Sequence, residues 1–201
     1  MRRLRRRPLP RLRRSRLRRD DLRGSVAERF HLVGHSMGGL TALLPAHPEP
    51  ERVLSFVDIE GYLAPEDCFL SRQIVTHRTD DPAHFLAGFA DRARRSTETS
   101  SALYAASLRH KVRPEAVRGI FESMVALSDH GDLMKKFLAL PFPRMFLYGA
   151  ENAHLSYLPE LAAHGVELAA IPHSGQWPMY ADPVAMRERI AAFHGRRSTG
   201  D

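Results

Sequence analysis

The sequence predicts an α/β fold: a short, mostly parallel sheet flanked by helices, with a block of helices inserted between its second and third strands. Three observations predict it. Short apolar runs of five to eight residues alternate with segments of helical period, as in strand–helix–strand units. The runs are mostly apolar and aromatic, as in buried strands. Residues 62–141 interrupt the alternation with helical patterns and no convincing strand.

The elements follow in order. Asp20-Asp21 before Leu22 reads as the start of a short helix, with its acids at the positive end. Residues 29–33 (RFHLV) form the first strand, running into Gly34-His35-Ser36-Met37-Gly38-Gly39. A helix follows over 40–44 and is closed by Pro45 and Pro48, and 52–59 (RVLSFVDI) is the second strand. In the inserted block Asp81 caps a helix that has Pro82 at its first position and Phe85, Leu86 and Phe89 on one face. Val117, Ile120, Phe121, Met124 and Val125 recur at helical spacing, and Met134, Phe137 and Leu138 make a shorter stripe. The alternation then resumes: a strand at 144–148, a helix over 155–164 stopped by Gly165, and a strand at 166–171. Asp182 and Pro183 begin a last helix with Met186, Ile190 and Phe193 buried and Gly195 at its end.

Composition narrows the function classes. The chain has 201 residues, 43% hydrophobic and 26% charged, enough for one packed domain. The net charge of +7 belongs to one segment: residues 1–19 hold eleven Arg and no acid. The remaining 182 residues carry 19 basic and 23 acidic side chains, a net −4. The arm lacks Lys and interleaved aromatics for base stacking, and Pro8 and Pro10 interrupt any helix, so a disordered leader is expected rather than a nucleic-acid arm. No apolar stretch follows it as in a signal peptide, and a single Ser fits a transit peptide poorly. No window is long and apolar enough to span a membrane. The lone Cys68 excludes an internal disulfide and any cysteine-based metal site, and points to a reducing, cytoplasmic compartment. No histidine pair has metal-ligand spacing with carboxylate support, so neither a metal nor a cofactor is expected.

The chemistry centres on Gly34-His35-Ser36-Met37-Gly38, a Gly-x-Ser-x-Gly pattern between a strand and a helix. A sharp turn there exposes the Ser36 hydroxyl and aims the Met37 N–H, at a helix start, toward an oxyanion forming on a substrate. Glycines at 34 and 38 are expected because side chains there would collide with neighbouring backbone.

With 50–61 (PERVLSFVDIEG) and 174–183 (SGQWPMYADP), the segment 29–40 (RFHLVGHSMGGL) resembles the α/β-hydrolase fold enzymes with a helical cap. The resemblance covers roughly residues 20–201. It implies a truncated hydrolase core at 20–61 and 142–201, with a cap at 62–141. It also implies a serine hydrolase for a carboxylic ester or related acyl compound, with Ser36 as nucleophile and the Met37 amide as an oxyanion donor. A pocket rich in Phe, Leu and Met would suit a small hydrophobic acyl substrate. The usual acid position holds Asn152, which cannot carry charge; Glu60, at the end of the second strand, is the favoured acid, with Glu151 and Asp58 as alternatives. The usual base position, before Trp177-Pro178, holds Gln176, and an amide cannot take the serine proton. His173 is the remaining candidate base on that loop. Only 28 residues precede Arg29, too few for the strands and the HGG-type loop expected upstream, so weak or no turnover is expected. A non-catalytic binding or interaction protein is the alternative.

Overall fold

The computed structural model describes residues 29–75 and 81–198. The Arg-rich arm and the helix expected from Asp20 lie outside the described residues. Four strands, β1 (Phe30–His35), β2 (Val53–Ile59), β3 (Arg144–Gly149) and β4 (Glu167–Ile171), form one sheet in chain order. All pairings are parallel, with Val33 beside Val57, Val57 beside Met145 and Leu147 beside Ala169. Each consecutive pair must therefore be joined by a crossover, and the helices supply it.

Alternate strand residues face opposite layers, as a pleated backbone requires. On one face Phe56 and Phe146 pack with Leu40 and Leu43 of α1 (Met37–Ala46), Phe137 of α6 (Leu133–Leu138) and Leu161 of α7 (Leu158–Ala163). On the other, Val57, Met145, Leu147 and Ile171 pack against Phe193 of α9 (Pro183–Ser198). Phe56, Phe146 and Phe193 are all fully buried, and burying one such side chain contributes roughly 1.5–3 kcal/mol.

Between β2 and β3 lie α2 (Phe69–Val75), α3 (Pro82–Arg94), α4 (Thr99–Lys111), α5 (Pro114–His130) and α6. Asp81 caps α3 by accepting from the Ala83 N–H at 2.9 Å. A small separate cluster of Phe85 and Val117, with Leu86, Val112 and Phe121 against it, joins α3 to α5. Met124, one turn beyond Phe121 on α5, packs instead into the main core with Cys68. The short α8 (Pro178–Ala181) precedes α9 and contacts α4.

Three expected boundaries are corrected. Pro45 does not close the first helix; α1 runs to Ala46. A proline in the last turn removes only the donation to the Thr41 carbonyl, on an exposed face that water can reach. Gly195 does not end α9, which continues to Ser198. Gly195 costs only about 1 kcal/mol in a helix, and Arg196 ties the turn beyond it to Glu167 of β4 at 2.5 Å. The helix expected over 155–164 is shorter, because residues up to Tyr157 are used in turns.

Candidate active site

Ser36, Glu60 and the loop 173–176 sit just past the carboxyl ends of β1, β2 and β4, where parallel α/β sheets place their ligand crevices. Ser36 follows β1 with φ 53° and ψ −122°, a strained conformation for a residue with a side chain. Its N–H donates to the Ile59 carbonyl at 2.8 Å, and its carbonyl accepts from the Gly39 N–H at 2.9 Å, so the turn is held from both sides. At Gly34 a Cβ would lie 2.6 Å from the Gly38 carbonyl oxygen, so glycine is required there. The expectation for Gly38 is corrected: a Cβ there meets nothing within 4 Å. The crowded position is Gly39, where a Cβ would lie 2.0 Å from Asp58 Oδ1, because α1 crosses β2 at that residue. Met37 begins α1, so its N–H has no intrahelical acceptor and is open to a ligand.

Glu60 follows β2, also left-handed at φ 48° and only 6% exposed. Its Oε1 accepts from the Gly149 N–H at 2.6 Å and its Oε2 from Asn152 Nδ2 at 2.9 Å. The usual acid position and the favoured acid therefore meet: the Asn152 amide donates to the Glu60 carboxyl. Burial pushes the Glu60 carboxyl from 4.5 to about 7, against the pull of those two donors. Asp58 turns elsewhere. It is wedged beneath Gly39 and Gly61, Oδ1 has no hydrogen-bond partner, and burial raises its pKa well above the usual range. Glu151 is exposed and lies against Glu98, the N-cap residue of α4; that contact with a second carboxyl raises its pKa.

The loop after β4 carries His173, Ser174, Gly175 and Gln176. Its path is fixed by the Glu151 N–H donating to the Ser174 carbonyl at 3.1 Å and by His35 Nε2 donating to the Gln176 carbonyl at 2.8 Å. With Nε2 protonated, Nδ1 is the bare nitrogen, and burial lowers the His35 pKa. The Gln176 amide donates to the Glu60 carbonyl at 3.4 Å. His173 is exposed, with φ 51°, and has Glu151 as a charged neighbour.

Two cavities meet here. The larger, about 720 Å³, is lined by Ser36, Met37 and Gln176 at one wall and by Phe85, Phe89 and Ile120 of the inserted helices at another. The smaller, about 270 Å³, holds Glu60, Asp67 and His154. Tyr62, Phe69, Asn152 and Gln176 line both. Gln176 thus stands between the space of Ser36 and the space of Glu60, and His173 lines neither. Burial raises Asp67 to about 6. Trp177 stacks on Tyr104 of α4 with centroids 3.6 Å apart, joining the β4 loop to the inserted helices.

Sequence reasoning missed Tyr62, Asn152 as partner of Glu60, and Glu98. Only Tyr62 had a signal, the glycine before it that marks a close turn. Among the described residues no group of three or more His, Cys, Asp or Glu side chains is placed to hold a metal, and no helix is long and apolar enough to cross a membrane.

The sequence model of the alpha/beta hydrolase family matches residues 4–189, starting inside the Arg-rich arm and earlier than the resemblance noted above. A hydrolase from Pseudomonas aeruginosa is similar in structure, with TM-score 0.60 and 20% identity over 84% of this chain and 65% of that one. A thermophilic esterase from Thermogutta terrifontis gives 0.61 and 18%, over 86% and 66%. The enol-lactonase from Burkholderia xenovorans gives 0.63 and 18%, over 84% and 66%. The chain thus spans just under two thirds of the length of these structures, and at such identities the likeness is one of fold.

Proposed function

Because the chain belongs to the alpha/beta hydrolase family, we propose that it carries the site of a serine hydrolase for a carboxylic ester or related acyl compound, in a form with little or no turnover. The observation that carries this is Ser36 on a strained strand-to-helix turn at the wall of a large apolar cavity. Residues 62–141 act as a cap over residues 20–61 and 142–201, and their Phe and Ile side chains favour a small hydrophobic acyl group. The esterase and the enol-lactonase among the similar structures support the same substrate class.

In this reading Ser36 Oγ attacks the acyl carbon, the carbonyl electrons move onto oxygen, and the Met37 N–H stabilises the resulting oxyanion. Glu60, held by Gly149 and Asn152, is the acid that would orient a base. The base position is filled by Gln176, which can neither accept the Ser36 proton nor return it to the leaving alkoxide. His173 points to solvent outside both cavities. Loss of one member of such a triad costs on the order of 10⁴–10⁶ in rate. The same Gln176 supports a second reading, a protein that binds an acyl compound without cleaving it.

Gln176→His tests the proposal. Hydrolysis of p-nitrophenyl butyrate should be near background in the wild type and rise at least about tenfold in the variant, while His173→Ala changes neither. No gain from Gln176→His favours the binding reading. Robust wild-type activity abolished by His173→Ala would make His173 the base and overturn the role given to Gln176.

A further inference from the structure

The turn that presents Glu60 also presents a second group. Gly61 admits no side chain, since a Cβ would lie 1.9 Å from Asp58 Oδ1. The left-handed Glu60 and the tightly seated Gly61 together fold the next residue, Tyr62, back toward the end of β1. Tyr62 is 8% exposed and lines both cavities. Its hydroxyl lies beside those of Ser36 and Ser71. Ser71, on α2, is fully buried, and its Oγ does not complete a hydrogen bond in the resting structure.

A buried phenol usually finds a hydrogen-bond partner. Tyr62 faces a hydroxyl on the wall of a ligand-sized cavity. Burial keeps its pKa above the ordinary 10.0, so it is a neutral O–H donor across the physiological range. Ser71 flanks the phenol on the buried side and Ser36 flanks it at the cavity, so the Tyr62 O–H can be directed at the space in front of Ser36.

Resting on the serine-hydrolase reading, we propose that Tyr62 is a second oxyanion donor, acting with the Met37 N–H, and that Ser71 positions it. When the Ser36 oxygen bonds to the acyl carbon, the C=O π pair moves to the carbonyl oxygen. The Tyr62 O–H, no longer engaged with a free serine hydroxyl, donates to that oxyanion. Collapse returns the pair, re-forms C=O and expels the alkoxide. Tyr62 loses no proton in the cycle, so a base is still required for Ser36.

Phenylboronic acid tests this without turnover. Ser36 Oγ donates a lone pair to boron and releases its proton to buffer, and the tetrahedral adduct places a boron-bound oxygen where the oxyanion would be. Binding is read from Trp177, the chain's single tryptophan, which lines the cavity. Benzyl alcohol serves as a ligand with no tetrahedral centre. Tyr62→Phe should weaken the boronic acid by at least about tenfold and leave benzyl alcohol unchanged; removing one oxyanion donor commonly costs about 10²–10³ in rate. Ser71→Ala should weaken the boronic acid several-fold. In the Gln176→His background, Tyr62→Phe should lower kcat with KM nearly constant. Wild-type boronic acid affinity in Tyr62→Phe overturns the proposal and spares the serine reading. Binding that survives Ser36→Ala overturns both.

Discussion

Glu60→Gln removes one buried charge while keeping the shape that holds it. The glutamine oxygen can still accept from the Gly149 N–H, now 2.6 Å from Oε1, and its amide can donate to Asn152 once that side chain rotates to present oxygen. What changes is the proton. In the wild type the carboxyl titrates at about 7 in the folded chain against the ordinary 4.5 of an unfolded one, and burial is the main cause. Between those values the folded chain keeps a proton that the unfolded chain has released. Wild-type stability therefore falls as pH rises from 4.5, and the loss is complete above 7. At about 1.4 kcal/mol per pH unit, Glu60→Gln should be more stable than the wild type by about 1 kcal/mol at pH 5 and about 3 kcal/mol at pH 8. For a chain of this size the pH 8 gain corresponds to a Tm higher by roughly 6–12 °C. Urea unfolding of both proteins at the two pH values gives the comparison directly. Equal differences at pH 5 and pH 8 would refute the raised carboxyl, and a less stable variant at pH 8 would mean that Glu60 is held as the anion.

The turn around Ser36 should discriminate sharply among its glycines. Gly38→Ala, with open space around it, should be neutral or stabilising by up to about 1 kcal/mol in thermal unfolding. Gly34→Ala, pressing on the Gly38 carbonyl at 2.6 Å, and Gly39→Ala, pressing on Asp58 Oδ1 at 2.0 Å, should each cost about 1–3 kcal/mol or prevent folding. Asp81→Ala removes the cap of α3 and should lower stability by about 1 kcal/mol, seen as a Tm drop of a few degrees with the sheet unaffected.

Much of the fold is legible in the sequence because the strands of a parallel sheet leave short, mostly apolar runs, although His31 and Val33 of the edge strand β1 stay exposed. All four strands fall within about two residues of where those runs lie. The misplaced helix ends have one cause: Pro45 and Gly195 are breakers by propensity, and one lost donor or one flexible residue in a last turn is too small a cost to stop a helix. The site is legible only where its residues are neighbours in the chain. Ser36 declares itself through the glycines around it, yet which glycine is crowded depends on Asp58 arriving from the next strand. Asn152 reads as a failed acid when seen alone; its function as the donor holding Glu60 depends on a residue 92 positions away. Tyr62 carries no pattern beyond the glycine before it, because its neighbours Ser36 and Ser71 come from other elements.

The backbone marks the same place independently. Among the described residues only Ser36, Glu60, Asp132 and His173 have positive φ without being glycine. Three of the four stand just past the carboxyl ends of β1, β2 and β4; Ser36 lines the larger cavity, Glu60 the smaller, and His173 neither. Each such residue costs on the order of 1–3 kcal/mol, and none has been replaced by the glycine that would relieve it. For Ser36 and Glu60 the side chain explains the retained strain, since each delivers a functional group that glycine lacks. Both are also braced: the N–H of Ser36 donates to Ile59 at 2.8 Å and that of Glu60 to Leu147 at 2.9 Å, tying each strained residue to the neighbouring strand. Under the proposed serine-hydrolase reading, these two braced conformations would hold the nucleophile and the acid, and the departure that bears on proton transfer is Gln176. On that proposal the block to turnover lies in a side chain of the β4 loop rather than in the turns that carry Ser36 and Glu60, and Gln176→His is the substitution that tests it.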